Sequence, residues 1–246
     1  MKAVAVIPAR YASTRFPGKP LASETGKYLI QHVCEQASAA TSISQVIVAT
    51  DDARIIAAVQ SFGGRAVMTR ADHPSGTDRV AEVAGGLDAD IIVNVQGDEP
   101  ELEPASIDQL VALLAENPNV SVGTLAAPFA VGTNPADPNA VKVVLDARGR
   151  AIYFSRSLIP YPRAQAGRPE KPGNWLLHLG IYAYRRMFLL ELASLAPTPL
   201  EMREKLEQLR ILEHGCPMAV TVVDRSPIGI DTPEDYAAFV RRTSGT

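Results

Sequence analysis

The chain has 246 residues, 46% of them apolar, with a formal net charge of −3. That length and apolar fraction suit one large α/β domain, or a domain with a small insert, and exclude wholesale disorder. The mild acidity excludes a broad basic surface for nucleic acid or membrane, so an anionic ligand must be met by local positive charge.

The predicted elements run as follows. Residues 4–7 form a short apolar strand ended by Pro8. Ile30, Val33, Cys34 and Ala37 recur at helical spacing. Residues 46–49 form a second strand, stopped by Asp51 and Asp52, of which Asp52 suits a helix N-cap. Ile55, Ile56 and Val59 mark a helix closed by Gly63-Gly64. A third strand is expected at 66–68, a helix at 77–87 and a fourth strand at 91–95. Pro104 opens another helix, and residues 120–126 form a fifth strand.

The second half changes character. Residues 141–145 and 151–154 flank Asp146-Ala147-Arg148-Gly149, a hairpin signature. Residues 159–173 are rich in Pro and Gly and read as an irregular loop. Leu177, Leu179, Ile181 and Ala183 alternate with His178, Gly180, Tyr182 and Tyr184, as in a half-buried strand. Helices are expected at about 186–195 and 200–214, a late strand at 220–223, and a final helix opened by Thr232-Pro233. The β-α-β-α order of the first half implies an α/β fold with a mostly parallel central sheet covered by helices on both faces. Ligands then bind beyond the carboxyl ends of the strands.

Cys34 and Cys216 show no metal-ligand spacing and read as reduced, buried thiols. The apolar run at the N-terminus is too short for a signal or a membrane span, and no later stretch reaches spanning length. The expectation is a soluble, cytoplasmic protein.

The loop 9–19 follows the first strand and carries Arg10, Arg15 and Lys19, with Gly18 beside Lys19. Guanidinium groups bind phosphate oxygens in pairs, lysine acts as a point charge, and glycine lets backbone approach closely. The loop matches neither a Walker A nor a dinucleotide fingerprint. It reads as a polyphosphate site or as a solvated basic loop paired to nearby acids. Asp98 follows the fourth strand through Gln96-Gly97, and Asp231 precedes the last helix. Two such carboxylates, if they converge, suit Mg²⁺, which prefers hard oxygen ligands and keeps substrate phosphates and waters. Separately, Asp98 reads as a turn former and Asp231 as an acid near a helix N-terminus. Asp51 and Asp52 read as structural.

Several segments together carry a family resemblance. They are Pro8-Ala9-Arg10-Tyr11-Ala12-Ser13-Thr14-Arg15-Phe16-Pro17-Gly18-Lys19-Pro20-Leu21, the stretch 68–79 containing Arg70, Ser75 and Gly76, and Asn94-Val95-Gln96-Gly97-Asp98-Glu99-Pro100. Further along come Pro138-Asn139-Ala140-Val141-Lys142-Val143-Val144, Tyr153-Phe154-Ser155-Arg156, His178-Leu179-Gly180-Ile181-Tyr182, Leu206-Glu207-Gln208-Leu209-Arg210 and the stretch 229–235. In this order they resemble the 3-deoxy-manno-octulosonate (KDO) cytidylyltransferases, also called CMP-KDO synthetases. The chain departs from that pattern at Asp78, where Glu is usual, and at Leu177, where a basic residue is usual.

The resemblance implies a Rossmann-like nucleotidyltransferase fold. One domain would span 1–246, with 1–128 mainly binding CTP, about 129–217 forming a smaller sugar-binding and dimerisation subdomain, and 218–246 returning to the main sheet. It implies CTP and KDO as substrates, Mg²⁺ as cofactor, a homodimer, and a role in lipopolysaccharide biosynthesis. Lys19, Arg10 and Asp98 would be catalytic. Ala9, Arg10, Arg15, Lys19, Arg70, Ser75, Gly76 and Asp98 would bind the nucleotide. Gln96, Arg156, His178, Tyr182, Glu207 and Gln208 would line the sugar site, and Asp98 and Asp231 would hold the metal. A cytidylyltransferase for 8-amino-KDO or a sialic acid is the near alternative, and a non-catalytic nucleotide-binding protein the distant one.

Overall fold

The computed structural model describes residues 1–12 and 15–244; Ser13, Thr14, Gly245 and Thr246 of the sequence motifs and C-terminus lie outside the described residues. The chain forms two compact units, Met1–Val111 with Pro227–Thr246, and Ala112–Ser226.

The first unit begins β1 (Ala3–Ala9), α1 (Leu29–Ala39), β2 (Ile43–Thr50), α2 (Ala53–Ser61), β3 (Ala66–Met68), α3 (Gly76–Gly85) and β4 (Ile91–Asn94). The helix α4 (Pro104–Glu116) then runs across the division into the second unit. Within the first unit the strand order is β3-β2-β1-β4, and every neighbouring pair is parallel. Ala3 to Ile7 and all of β4 are buried without alternation, as expected where helices cover both faces of a parallel sheet. Helices α1, α2 and α3 pack on β1 and β2. Asp52 caps α2 by accepting from the Arg54 N–H at 2.9 Å, so the acid read as structural is structural.

The second unit contains β5 (Val122–Pro128), β6 (Lys142–Leu145), β7 (Ala151–Ser155), β8 (Leu176–Arg185), α5 (Arg186–Leu192), α6 (Pro199–Glu204), α7 (Gln208–Glu213) and β9 (Met218–Val222). Here the pairing is mixed: β5 lies antiparallel to β8 and parallel to β9, and β6 and β7 form the expected antiparallel hairpin. Thus β5 and β9, which the sequence reading places in the segments 1–128 and 218–246, belong to this second unit.

Three details differ from expectation. The helix expected at 200–214 is two helices, because Lys205 takes a left-handed conformation (φ 56°) that ends α6. The 159–173 loop holds two short 3₁₀ turns, at Arg163–Gln165 and Pro172–Asn174. Of the cysteines, Cys34 is buried but Cys216 is only half-buried.

The last helix, α8 (Pro233–Ser244), returns to the first unit. Its Tyr236 and Phe239 are buried with Leu29 and Ile230, and Phe16 packs against them. This cluster fixes two chemically important neighbours by apolar burial. Phe16 anchors the basic loop, and Ile230 anchors the approach to Asp231.

Candidate active site

The site in the first unit starts where β1 ends. After Ala9 the chain leaves the sheet, and it returns at Gly18, whose N–H donates to the Tyr11 carbonyl at 3.0 Å. Gly18 sits at φ 73°, and a Cβ there would meet the Tyr11 ring at 3.2 Å. Only glycine takes that backbone without strain. The Tyr11 ring is also covered by the Arg54 guanidinium, 3.3 Å from the ring centroid. The loop is therefore closed at its base.

Each of the three loop cations has a defined partner. Arg10 donates to the carbonyls of His73 and Ser75, at 2.6 and 3.2 Å. Lys19 donates to Asp98 Oδ2 at 2.7 Å and to the Ile230 carbonyl at 2.8 Å. Arg15 pairs with Asp231 at 2.8 Å. The two pairs differ in setting. The Lys19 side chain is 14% exposed and that of Asp98 33%, against 65% and 54% for Arg15 and Asp231. Exposed pairs contribute little, so Lys19–Asp98 is the one that organises the site.

The two acidic segments are joined through their backbones. The Ile230 N–H donates to the Asp98 carbonyl at 2.9 Å, which puts Asp231 one residue from a direct backbone link to Asp98. Gly97, just before Asp98, lies close against β1: a Cβ there would be 3.0 Å from the Pro8 carbonyl oxygen. Pro8, Ala9, Arg10, Ala12, Lys19, Pro20, Gln96, Gly97 and Asp98 line one cavity of about 170 Å³.

The segment 70–76 lies beside the loop through Arg10. Here the Ser75 hydroxyl is committed to α3: it accepts from the Asp78 N–H and donates to the Asp78 carboxylate. Asp78 thus acts as the helix-start acid its position suggested. Gly76 packs on the Pro8 ring. The Arg70 guanidinium is exposed and pairs with Asp72 at 3.2 Å. The segment is pinned from behind by Glu82, which accepts from the Arg70 N–H at 3.1 Å and pairs with the buried His73 ring.

In the second unit, His178, Tyr182 and Gln208 gather. The His178 ring stands edge-on to Phe154 (4.7 Å) and tilted to Tyr182 (5.5 Å), and Gln208 Nε2 lies 3.5 Å from His178 Nδ1. Burial pushes the His178 imidazole down to about 3, so it is neutral at working pH. Burial, and then the Glu207 carboxylate, push the Tyr182 phenol up. Arg156 is placed differently. Its guanidinium donates to the carbonyls of Glu204, Pro138 and Lys205, at 2.8, 3.0 and 3.3 Å. It braces the α6–α7 turn.

Three further residues, one in the first unit and two in the second, had no role in the sequence reading. Lys142 is fully buried in β6, and its ammonium donates to the carbonyls of Asp137, Ala140 and Arg156. A lysine inside Val141-Lys142-Val143 was the available signal. Glu99 has one oxygen buried with no hydrogen-bond partner among the described residues. Burial, with Asp98 adding its charge, pushes its carboxyl up to about 8, so it carries a proton at neutral pH. Thr124 in β5 is fully buried beside His178, and nothing in its sequence context marks it.

Comparison with known proteins agrees with this geometry. The profile of the family described as "Cytidylyltransferase" matches residues 4–222. A protein of Geobacter sulfurreducens named 3-deoxy-manno-octulosonate cytidylyltransferase is 52% identical over 248 residues, covering 98% of this chain and 99% of that one. The protein of the same name from Solibacter usitatus is 50% identical, covering 98% of this chain and 94% of its own. A solved structure of CMP:2-keto-3-deoxy-manno-octonic acid synthetase complexed with CTP superposes with a TM-score of 0.92 at 44% identity, covering all of this chain and 99% of that one. A 4-diphosphocytidyl-2C-methyl-D-erythritol synthase structure from Anaerococcus prevotii, 12% identical with a TM-score of 0.63, shares the fold. A nucleotidyltransferase fold, a basic strand-end loop facing paired acids, and half the residues in common over nearly the whole length give one answer: the chain belongs to the cytidylyltransferase family, among the 3-deoxy-manno-octulosonate cytidylyltransferases.

Proposed function

We propose that this protein transfers CMP from CTP to KDO, releasing CMP-KDO and pyrophosphate. The observation that carries this is the 52% identity, over 98% of the chain, to a protein named for that activity. The site in the first unit supports it. An oxygen–phosphorus bond forms between a KDO hydroxyl and the α-phosphorus, and the bond to the β-phosphate oxygen breaks. Pyrophosphate leaves, and the hydroxyl proton passes to solvent. Such chemistry depends on positioning and charge neutralisation more than on covalent help.

In this reading Arg10 and Lys19 hold the phosphates and the leaving pyrophosphate, with Arg15 nearby. Arg70 and the backbone of Ala9, Ser75 and Gly76 run along the nucleoside, since the Ser75 hydroxyl already caps α3. His178, Tyr182, Glu207, Gln208 and Gln96 receive the sugar acid. Arg156 lines the sugar site as well, and three of its donors also hold carbonyls around the α6–α7 turn and at Pro138.

Asp98 and Asp231 offer hard carboxylate oxygens on two segments joined by a backbone hydrogen bond, a donor set that fits a divalent cation shared with phosphate oxygens. Mg²⁺ held there would supply Lewis-acid neutralisation of phosphate charge. The chain's own contribution is to fix both carboxylates, Asp98 through Gly97 and Asp231 through the buried Ile230. A cytoplasmic homodimer serving lipopolysaccharide assembly completes the proposal. No helix among the described residues is long and apolar enough to cross a membrane.

The test is a panel of KDO, 8-amino-KDO and a sialic acid, each supplied with CTP and Mg²⁺ and scored by pyrophosphate release. Turnover with KDO well above the others is expected. Preference for another acid would replace the substrate, and CTP binding without pyrophosphate from any acid would refute the enzyme. Light scattering at working concentration checks the dimer.

A further inference from the structure

The hydroxyl of Thr124 has three neighbours in the second unit. His178 Nε2 lies at 3.1 Å, the Leu179 carbonyl at 3.1 Å and the Ile181 carbonyl at 2.8 Å. This follows from an irregularity of the sheet. Between Thr124 and Leu125 the β5–β8 register shifts, because Thr124 pairs with Tyr182 while Leu125 pairs with Leu179. Gly180 and Ile181 are the extra residues on β8. The bulge turns carbonyls of β8 towards the Thr124 side chain.

A hydroxyl has one proton and two lone pairs. Both carbonyl oxygens are acceptors only, and the shorter contact assigns the proton to Ile181. If the proton went to the imidazole instead, neither carbonyl would receive it. Thr124 is fully buried, so its proton goes to one of these three neighbours. The remaining contact is then His178 Nε2–H donating to the threonine oxygen. The Gln208 amide nitrogen on the other side of the ring, facing Nδ1, asks for the same arrangement, with Nδ1 bare.

We propose that Thr124 is a positioning residue: it holds His178 in the Nε2–H tautomer, so that the bare Nδ1 accepts from the Gln208 amide and the ring and that amide are oriented together for the sugar acid. The proposal rests on the reading that His178 belongs to the sugar site. The groups packed on the ring are Thr124, Phe154, Tyr182 and Gln208, none of them charged at neutral pH. Its hydrogen bonds with Thr124 and Gln208 then select the tautomer, with the Glu207 carboxylate acting on the neighbouring Tyr182.

The experiment has two arms. In the full-length wild-type protein labelled with ¹⁵N-histidine, imidazole spectra should show His178 with a protonated Nε2 and a bare Nδ1, the signals being assigned by their loss in His178→Gln. A protonated Nδ1, or an averaged mixture, overturns the proposal without any mutation of Thr124. In Thr124→Val the tautomer should become mixed. KM for the sugar acid should rise about tenfold, the scale of one lost hydrogen bond, with KM for CTP and kcat within twofold of wild type. Thr124→Ser, which keeps the hydroxyl, should restore both readouts. An unchanged tautomer and an unchanged sugar KM in a folded Thr124→Val overturn the positioning role. If the tautomer shifts as expected but sugar KM is unmoved in both Thr124→Val and His178→Gln, it is the sugar-site reading of His178 that fails.

Discussion

Lys19→Met is the most searching perturbation of the nucleotide site. It keeps the length of the stem and removes the ammonium. The folded protein loses two charge-assisted hydrogen bonds, to Asp98 at 2.7 Å and to the Ile230 carbonyl at 2.8 Å. Each would contribute about 1.5–3 kcal/mol if fully enclosed. Asp98 is 33% exposed, so water takes over part of its coordination, and a net loss of about 1–2 kcal/mol is expected. For a chain of this size that is a fall in Tm of about 2–8 °C. Catalysis should suffer more, because a preorganised cation aimed at phosphate charge is worth about 10²–10³ in rate. The assay is pyrophosphate release with saturating KDO and varied CTP, alongside a urea titration. Asp98→Asn and the double variant close the cycle, and the two single effects on stability should be clearly non-additive, since the side chains touch. A Lys19→Met enzyme within threefold of wild-type kcat/KM would refute the role of the loop in the reaction.

Three other outcomes follow from the same structure. Gly97→Ala pushes a Cβ to 3.0 Å from the Pro8 carbonyl oxygen, so the Asp98 segment must shift; KM for CTP should rise at least tenfold with a lower Tm, and unchanged kinetics would show that the segment yields freely. Because burial holds the folded His178 pKa near 3, below its ordinary 6.5, the unfolded chain takes up the proton first; stability from this group is complete above pH 6.5 and is lost as pH falls towards 3, so His178→Gln should flatten that limb of a urea-midpoint profile against pH. Arg210→Met strands the Glu201 carboxylate, 12% exposed, without its guanidinium at 2.5 Å, and should cost about 3 kcal/mol or more by urea unfolding at neutral pH.

The periodic elements were legible because their physics is local. Uninterrupted apolar runs such as Ile91–Asn94 (β4) give buried parallel strands, and Asp52, Pro104 and Thr232 mark helix starts by their own chemistry. The split of the 200–214 helix was not legible, since Lys205 is an ordinary helix former driven into the left-handed region by its surroundings. The site was legible in its loops and hidden in its long-range bonds. Asp98 and Asp231 are far apart in sequence, and their segments are joined by the Ile230 N–H to Asp98 carbonyl bond and by Lys19, which donates to Asp98 and to the Ile230 carbonyl. Arg156 donates to the carbonyls of Pro138, Glu204 and Lys205, on segments far from its own motif that the motif does not announce. Thr124 acts on a backbone carbonyl of a distant strand, which leaves no residue-type signal at all.

The two readings of the basic loop, a polyphosphate site or a set of cations paired to acids, turn out to be compatible. The pairing is real, because Arg15 meets Asp231 and Lys19 meets Asp98. What separates the pairs is how their partners are held. Arg15 and Asp231 are both more than half exposed, and water can replace either partner at little cost. Lys19 is tied at once to a carboxylate and to a carbonyl of a buried residue, and Asp98 follows a glycine whose Cβ position lies only 3.0 Å from the Pro8 carbonyl oxygen. A chain of net charge −3 can hold a polyanion only if its local cations are pre-set in this way. The acids are then part of the anion site. Asp98 holds Lys19 and Asp231 holds Arg15 before a nucleotide arrives, and in the proposed reading their oxygens would suit a divalent cation once phosphate takes over the cations.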